Sequence, residues 1–251
     1  MVTENSITIV VPALNEQRNL AFAVRNMVEA AERWFSEYEI LVFNDGSTDK
    51  TGEIADRLAA EYRHVFAFHH ERPKNMGGVI RGGYRRASMH YVIWLDGKGG
   101  TTGRALDAIF SCKGQADLVI PYATNERERS TGRRVVSSIF RAILNLLFGL
   151  RLKYYTGSVL SRASLVKQFT IRTSSYAWQA EALIKMIKSG CSYMQVAIQD
   201  RYEDEGRCTK AFRIKNVLGV GAFLVRTLWD VYVRRDCGRT VPDTRLQKTS
   251  E

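Results

Sequence analysis

Three short apolar runs, each ending in carboxylate and amide side chains, constrain the fold of this 251-residue chain most strongly. They read SITIVVPALNE, EILVFNDGSTD and YVIWLDGKGG and begin at residues 6, 39 and 91. Continuous apolar runs of this length predict strands that are buried on both faces of a parallel sheet. The carboxyl ends of parallel strands meet at one edge, where ligands bind in open α/β sheets. We therefore expect Asn15, Glu16, Asp45 and Asp96 to converge there.

Between and after these runs the first half alternates strand and helix patterns. Apolar residues recur at helical spacing from Leu20 to Trp34 and again from Ile54 to Tyr62. Further strands are predicted at residues 64–69 and 117–121, and the Gly-rich stretch 75–83 opens or forms a helix. Alternating strands and helices predict an α/β fold with a Rossmann-like, mostly parallel sheet flanked by helices.

The sequence changes character after residue 122. A polar, basic stretch at 125–134 predicts a loop, and an amphipathic helix follows to residue 150. Shorter patterns predict a strand after residue 157, a helix at 177–188, a strand at 193–198 and a charged loop at 201–210. The basic and apolar residues in the stretch 212–233 recur at a spacing that predicts amphipathic helices. We predict a single domain over 1–236, with halves at 1–122 and 123–236, and a flexible tail at 237–251.

The balance of charge indicates an anionic partner. Lys and Arg number 37 against 26 Asp and Glu, which gives a net charge of +11. Nucleic acid, a phosphorylated substrate and an acidic membrane surface all fit this balance. The four scattered cysteines form no Cys-x-x-Cys pair, which favours reduced thiols. The N-terminus has no signal-peptide pattern, and no apolar run is long enough to span a membrane. We expect a cytoplasmic protein.

Four motifs in fixed order resemble the family 2 glycosyltransferases, which have the GT-A fold. They are VPALNE, FNDGSTD, NMGGVIRGG and WLDGK. Three later stretches, YYTGSVLSRASL, YAWQAEALIKMIKSGCSYMQVAI and RYEDEGRCTKAFRIKN, resemble the polyprenyl- or dolichyl-phosphate sugar synthase branch. The resemblance covers residues 7–216. It implies transfer of a sugar, with inversion, from a UDP- or GDP-sugar to a polyprenyl phosphate or another phosphate or hydroxyl acceptor.

The resemblance assigns the donor site to residues near the strand ends. In the family, the residue matching Asp45 accepts a hydrogen bond from the base, and a carboxylate such as Glu16 accepts from ribose hydroxyls. Glycines in the stretch 75–83 let the backbone approach the nucleotide sugar. The implied donor-binding set is Pro12, Leu14, Asn15, Glu16, Asp45, Asn75, Gly77, Arg81 and Asp96.

Asp96 and Lys98 are the implied catalytic residues, and they depart from the family pattern. Members usually carry Asp-x-Asp, whose carboxylates bind Mg²⁺ or Mn²⁺ at the sugar-nucleotide diphosphate. This chain reads Asp96-Gly97-Lys98. Three interpretations are open. Lys98 supplies the positive charge directly, or Asp96 holds a metal together with the diphosphate and water, or the chain binds nucleotide sugars without catalysing transfer.

The acceptor side has basic candidates and one acidic candidate. Glu181 is a candidate base for a hydroxyl acceptor, and the alternative is a surface charge or a charge at the N-terminus of a helix. A phosphate acceptor is already anionic and needs no base. The candidates for binding an acceptor or donor phosphate are Arg133, Arg134, Arg201, Arg207 and Lys210. A solvated charged loop is the alternative for the last three.

Other classes of function are weighed on the same sequence. Basic amphipathic segments at 137–150 and 214–233 fit peripheral contact with an anionic membrane, and ordinary core packing is the alternative. Nucleic-acid binding is not expected because no recognised motif is present. A nicotinamide-dependent enzyme is disfavoured because no Gly-x-Gly-x-x-Gly follows the first strand.

Overall fold

The computed structural model describes residues 3–125, 130–171, 173, 177–201 and 214–235. Arg207 and Lys210, the predicted charged loop after Arg201, and the predicted tail at 237–251 lie outside these ranges. The backbone of Arg133 is described, but its side chain is not.

Seven strands of the described chain form one sheet in the order β3-β2-β1-β4-β6-β5-β7. Neighbouring strands are parallel except at β6, which runs antiparallel to both β4 and β5. This confirms the predicted α/β fold with a mostly parallel sheet. The strands are β1 (Ser6–Ala13), β2 (Glu37–Asn44), β3 (Val65–His69), β4 (Tyr91–Trp94), β5 (Leu118–Ala123), β6 (Leu160–Arg162) and β7 (Tyr193–Ile198).

Helices cover both faces of the sheet. The Gly-rich stretch does form a helix, α3, and the C-terminal helix α8 continues into a short π-helical segment, Trp229–Val233. The helices are α1 (Leu20–Trp34), α2 (Thr51–Glu61), α3 (Asn75–Arg86), α4 (Gly103–Phe110), α5 (Thr131–Phe148), α6 (Ala163–Lys167), α7 (Trp178–Lys188) and α8 (Ile214–Leu228). No described helix is both long enough and apolar enough to cross a membrane.

The central strand β1 is buried on both faces, as its apolar sequence predicts. Ile9 and Val11 pack into the core formed with α1, α2 and α4. Val10 points to the other face and packs with residues of α3, α6 and α7. Gly83 of α3 makes this contact possible, because a Cβ atom there would lie 2.3 Å from Cγ1 of Val10. The two faces of one strand therefore join the two helical layers.

The second half differs from the sequence predictions in three places. Helix α5 begins at Thr131, inside the stretch predicted as loop, and ends before Leu150 because Gly149 adopts a left-handed conformation with φ 60°. The short helix α6 was not predicted, since five residues carry too little periodicity to indicate a helix.

Helix α5 presents two apolar faces rather than one stripe. Leu144 and Phe148 are buried in the core that α5 shares with α7 and α8. A separate row of four apolar side chains faces solvent at spacings of three and four residues. It consists of Val135, Ile139, Ile143 and Leu146, and Leu146 is 84% exposed. The adjoining C-terminal segment adds exposed apolar side chains at Val225, Trp229, Tyr232 and Val233.

Candidate functional site

The predicted polar strand ends do meet at one edge of the sheet. β2, β1 and β4 are consecutive parallel neighbours, and Asp45, Glu16 and Asp96 follow their carboxyl ends. Backbone hydrogen bonds join the three turns: Asp45 N–H donates to the carbonyl of Ala13 at 2.9 Å, and Gly97 N–H donates to that of Pro12 at 3.2 Å. We call this edge the rim.

Hydrogen bonds in both directions connect the loop after β1 to the loop after β2. Asn15 has a positive φ of 56°. Its N–H donates to Ser47 Oγ at 3.0 Å, and its Oδ1 accepts from the N–H of Thr48 at 2.9 Å. Glu16 N–H donates to Thr51 Oγ1 at 2.8 Å. A residue in a sparsely populated conformation persists only where its surroundings fix it, and here the neighbouring loop does so.

Asp45 is buried at the rim and is oriented by two partners. Its Oδ1 accepts from the N–H of Lys74 at 2.8 Å and lies 2.8 Å from Nδ1 of His70. His70 follows the end of β3, and its backbone N–H donates to the carbonyl of Asn44 at 2.9 Å. Sequence reasoning missed His70. The sequence did carry a signal for His70, because this residue directly follows the strand predicted at residues 64–69 and so should lie at the same edge of the sheet as Asp45.

Asp96 is partly buried and lies beside a lysine. Burial raises the pKa of the Asp96 carboxyl, while a hydrogen bond from Gly100 N–H to Oδ1, at 3.2 Å, and the charge of Lys98 oppose the rise. Nζ of Lys98 lies 4.0 Å from Oε1 of Glu16, and the Lys98 side chain is 44% exposed. An ammonium group and two carboxylates from separate strand ends therefore share the rim.

The oxygen ligands available for a divalent cation are few. The described residues contain no group of three or more His, Cys, Asp or Glu side chains placed to hold a metal. Asp96 contributes one carboxylate, and the nearby carboxylate of Glu16 faces the Lys98 ammonium. At substrate phosphates, Mg²⁺ is usually held by one or two carboxylates together with phosphate oxygens and water. Asp96 could supply one such carboxylate, and Lys98 adds a positive charge beside it.

Arg201 lies near the rim, whereas Arg134 lies on α5. The N–H of Arg201 donates to the Gly100 carbonyl at 2.7 Å, and its guanidinium lies 5.6 Å from the ring centre of Phe22. The loop that carries Asp96 is thus tied to the end of β7. Arg134 is exposed in the first turn of α5.

The residues predicted to bind the donor on α3 and after β1 differ in their exposure and in their distance along the chain from the rim. Asn75 opens α3 with a positive φ of 60°, Gly77 is buried, and Leu14 is 46% exposed beside the rim. Arg81 lies two turns into α3, and its Nη1 donates to the carbonyl of Thr173 at 3.1 Å. Its contact with a donor remains a prediction.

Glu181 is in the first turn of α7, but it is not a surface charge. It is 1% exposed. One carboxylate oxygen accepts from Thr173 N–H at 2.9 Å, and the other lies 2.7 Å from Nζ of Lys185. Lys185 is equally buried and lies 3.1 Å from Asp230 of the C-terminal segment. A general base must reach its substrate, so this buried ion pair argues against the predicted base role.

Comparison with known proteins agrees with this geometry. Residues 8–97, which include the three rim loops, match the sequence model of glycosyl transferase family 2. Glycosyltransferase AglD of Haloferax volcanii is 26% identical over 247 residues, covering 94% of this chain and 39% of AglD. A dolichyl-phosphate beta-glucosyltransferase of Trichomonas vaginalis is 29% identical, covering 57% of this chain and 48% of that protein. The chain spans less than half the length of these relatives.

A solved structure has the same fold. The glucosyl-3-phosphoglycerate synthase of Mycobacterium tuberculosis, in complex with Mn²⁺, uridine diphosphate and phosphoglyceric acid, superposes with a TM-score of 0.64. The alignment covers 96% of this chain and 80% of that one at 19% identity. This likeness extends across both halves of the sheet and supports a GT-A-like architecture.

Proposed function

We propose that the chain is a family 2 glycosyltransferase, as the match over residues 8–97 suggests, and that it transfers a sugar from a nucleotide-diphosphate sugar to a polyprenyl phosphate. The observation that carries this proposal is the rim, where Glu16, Asp45 and Asp96 stand at three adjacent strand ends around the site of ligand binding in such sheets. One of the relatives named above supports the acceptor class, since it is a dolichyl-phosphate beta-glucosyltransferase.

The interlocked loops after β1 and β2 suit the nucleoside part of the donor. Asp45 is an acceptor whose orientation is fixed by His70 and Lys74, which favours recognition of a base N–H. Glu16 follows the end of the neighbouring strand β1, and we assign its carboxylate to the ribose hydroxyls. Because hydrogen bonds already hold both loops, binding costs little further ordering of the backbone.

Lys98 is proposed to stabilise the leaving nucleoside diphosphate. Negative charge grows on the diphosphate as the bond to the anomeric carbon breaks, and a positioned ammonium stabilises that charge. The lysine at position 98, where the family pattern has a second carboxylate, favours this interpretation over one in which Asp96 holds a metal. Asp96 would orient the donor sugar, and direct attack by the acceptor would invert the anomeric centre.

A phosphate acceptor is favoured over a hydroxyl acceptor by the state of Glu181. A hydroxyl needs a base, whereas a phosphate oxygen is already anionic at neutral pH. Glu181 is buried and ion-paired with Lys185. Arg201 stands near the Asp96 loop with a guanidinium suited to bind phosphate. We place Arg201 on the acceptor side.

Peripheral contact with an anionic membrane belongs to the same proposal. The exposed row on α5 and the exposed apolar residues of the C-terminal segment are adjacent, because Tyr232 Oη donates to the Leu147 carbonyl at 2.9 Å. Arg134 lies on α5, Arg226 lies on α8, and Arg234 directly follows the π-helical segment. An apolar face bordered by cations suits a surface of anionic lipid, where a polyprenyl phosphate resides.

The deciding experiment is a transfer assay with a panel of UDP- and GDP-sugars and a short-chain prenyl phosphate, with and without chelator. We expect one donor to support product formation that persists in chelator. Asp96→Ala should abolish transfer and retain the fold, while Asp56→Ala, which removes an exposed carboxylate on α2, should have no effect.

Two outcomes would overturn parts of the proposal. Complete loss of turnover in chelator would replace the Lys98 mechanism with one in which Asp96 holds a metal. Binding of nucleoside diphosphates without turnover of any donor would favour the second candidate, a non-catalytic family member. The observation that favours this candidate is the lysine in place of the second carboxylate.

A further inference from the structure

A cavity lies beside the rim, between the sheet and three helices. Its volume is about 420 Å³, and residues of β4, β6, α3, α6 and α7 line it. This volume falls within the range of about 300–1,000 Å³ that is usual for small-molecule sites. Trp94 and Gly157 bring the cavity close to the rim, since Trp94 lies two residues before Asp96 and Gly157 precedes β6.

The walls of the cavity are mainly apolar. Three aromatic rings form one side, with the ring centre of Trp178 6.5 Å from that of Tyr84 and 6.3 Å from that of Trp94. Aliphatic and aromatic side chains complete the walls, and they include Val159, Val166, Phe169, Leu183 and Met186. A sugar would leave most of its hydroxyl groups without partners in such a space, whereas a hydrocarbon chain would not.

One buried polar group in the wall has no partner. Trp94 is 7% exposed, and its Nε1 makes no hydrogen bond to the protein. Buried N–H groups are nearly always paired, because leaving one unpaired costs free energy. A ligand oxygen beside the indole would satisfy Nε1.

Three cations line the same cavity. They are Arg81, Arg85 and Lys167. Arg81 donates to the Thr173 carbonyl at 3.1 Å, and Lys167 donates to the Ala87 carbonyl at 2.7 Å. In the described parts of the chain no carboxylate pairs with any of the three. The cavity therefore combines an apolar interior with uncompensated positive charge.

We propose that this cavity binds the acceptor of the transfer described above, with the hydrocarbon chain of a prenyl phosphate among its apolar walls. Arg81 and Trp94 Nε1 would meet the phosphate oxygens at the end nearest Asp96. This inference rests on the proposed function, but it concerns the cavity, whereas donor binding depends on the rim loops.

The test is calorimetric titration of the donor-free protein with farnesyl phosphate, inorganic phosphate, farnesol and a hexose phosphate. We expect farnesyl phosphate to bind more tightly than the other three. Trp94→Phe keeps an aromatic side chain but removes the Nε1–H donor, and should weaken binding of farnesyl phosphate by about threefold to tenfold. Arg81→Gln should weaken it by about tenfold or more, because a charged donor is lost.

Matched variants isolate the contribution of the cavity. Arg57→Gln makes the same chemical change as Arg81→Gln at an exposed position on α2, outside the cavity, and should leave farnesyl phosphate binding unchanged. Ala182→Leu reduces the cavity volume and should weaken binding of farnesyl phosphate but not of inorganic phosphate. Nucleoside diphosphate binding, measured in parallel, should be unaltered in Trp94→Phe, Ala182→Leu and Arg57→Gln.

The outcomes distinguish the two proposals. If nucleoside diphosphates bind but farnesyl phosphate affinity is the same in Trp94→Phe, Arg81→Gln and Ala182→Leu, the cavity inference is wrong and the proposed function stands. If the hexose phosphate binds more tightly than farnesyl phosphate, the cavity takes a polar acceptor and the inference is also wrong. If no nucleoside diphosphate binds, the proposed function itself fails.

Discussion

At the scale of single residues, Asp96 lowers stability at neutral pH. Burial raises the pKa of its carboxyl above the value in the unfolded chain. The folded state therefore binds more protons than the unfolded state between these two pKa values, and stability falls as pH rises through that window. At neutral pH the ionised carboxylate is a net cost to folding.

Replacing Asp96 by Asn should make this cost measurable. We expect Asp96→Asn to melt at the same or a higher temperature than wild type at pH 7, with transfer abolished. The difference in melting temperature should shrink as pH falls below about 4, where the wild-type carboxyl is protonated in both states. A large loss of stability at pH 7 would show instead that Asp96 is a structural residue.

Lys98 offers a second prediction at this scale. Lys98→Ala should lower kcat by about 10²-fold, the usual loss when one group that stabilises a developing anion is removed. Lys188→Ala, at the exposed C-terminal end of α7, is the control and should change kcat little.

Lys98→Asp extends this prediction to the metal. The substitution creates a pair of carboxylates, so transfer should become dependent on Mn²⁺ or Mg²⁺ and sensitive to chelator. A wild-type enzyme that already requires metal, with no change in that requirement in Lys98→Asp, would contradict the role given to Lys98.

The roles of single residues were only partly predictable from sequence. Asp45 and Asp96 stand directly after apolar runs, so their position at the rim followed from strand alternation alone. The pairings of His70 with Asp45 and of Lys185 with Asp230 join residues that are far apart in sequence. No local pattern encodes such contacts, and for the same reason the sequence could not predict that Glu181 is buried against Lys185.

At the scale of elements, the packing of α3 on β1 depends on one of two adjacent glycines. Gly83→Ala should destabilise the protein by about 1–3 kcal/mol, because its methyl group would overlap Val10. Gly82→Ala, one residue earlier, has only the end of the Arg86 side chain within 4 Å. It should be neutral or stabilise by about 0.5–1 kcal/mol through reduced backbone entropy. Chemical denaturation of both variants measures the difference, and equal effects would contradict this packing.

The contact between α7 and the C-terminal segment depends on a buried charge cluster. Lys185 lies between Glu181 and Asp230, and all three are nearly inaccessible to solvent. Lys185→Met should cost about 3–5 kcal/mol, because two buried carboxylates lose their cation. The triple variant Lys185→Met, Glu181→Gln, Asp230→Asn should recover part of that loss in thermal unfolding. No recovery would indicate that the lysine stem, and not its charge, holds the contact.

Helix α5 shows where a periodic pattern is informative and where it is not. The apolar residues from 136 to 150 predicted a helix, and the helix is present. They could not tell the buried face from the exposed one, because side chains on both faces are apolar. Leu144 and Phe148 face the core only because α7 and α8 pack there.

At the scale of the whole molecule, the exposed row on α5 should govern attachment to lipid. We expect the protein to sediment with vesicles of anionic lipid at low salt and to be released as the salt concentration rises. It should not sediment with vesicles of neutral lipid. Ile139→Gln combined with Leu146→Gln should weaken this attachment severalfold. Phe66→Gln, an equivalent change on β3 at the opposite edge of the sheet, should not. Equal sedimentation of all variants would show that this row is not the lipid-facing surface.

The position of β6 limits how the two halves of the chain can be separated. This three-residue strand comes from the second half of the chain, yet it lies between β4 and β5 of the first half. A fragment ending near residue 122 would leave the open edge of β4, next to Asp96, without its neighbour. The second half is therefore not exchangeable as an independent module, because its removal would disrupt the centre of the sheet.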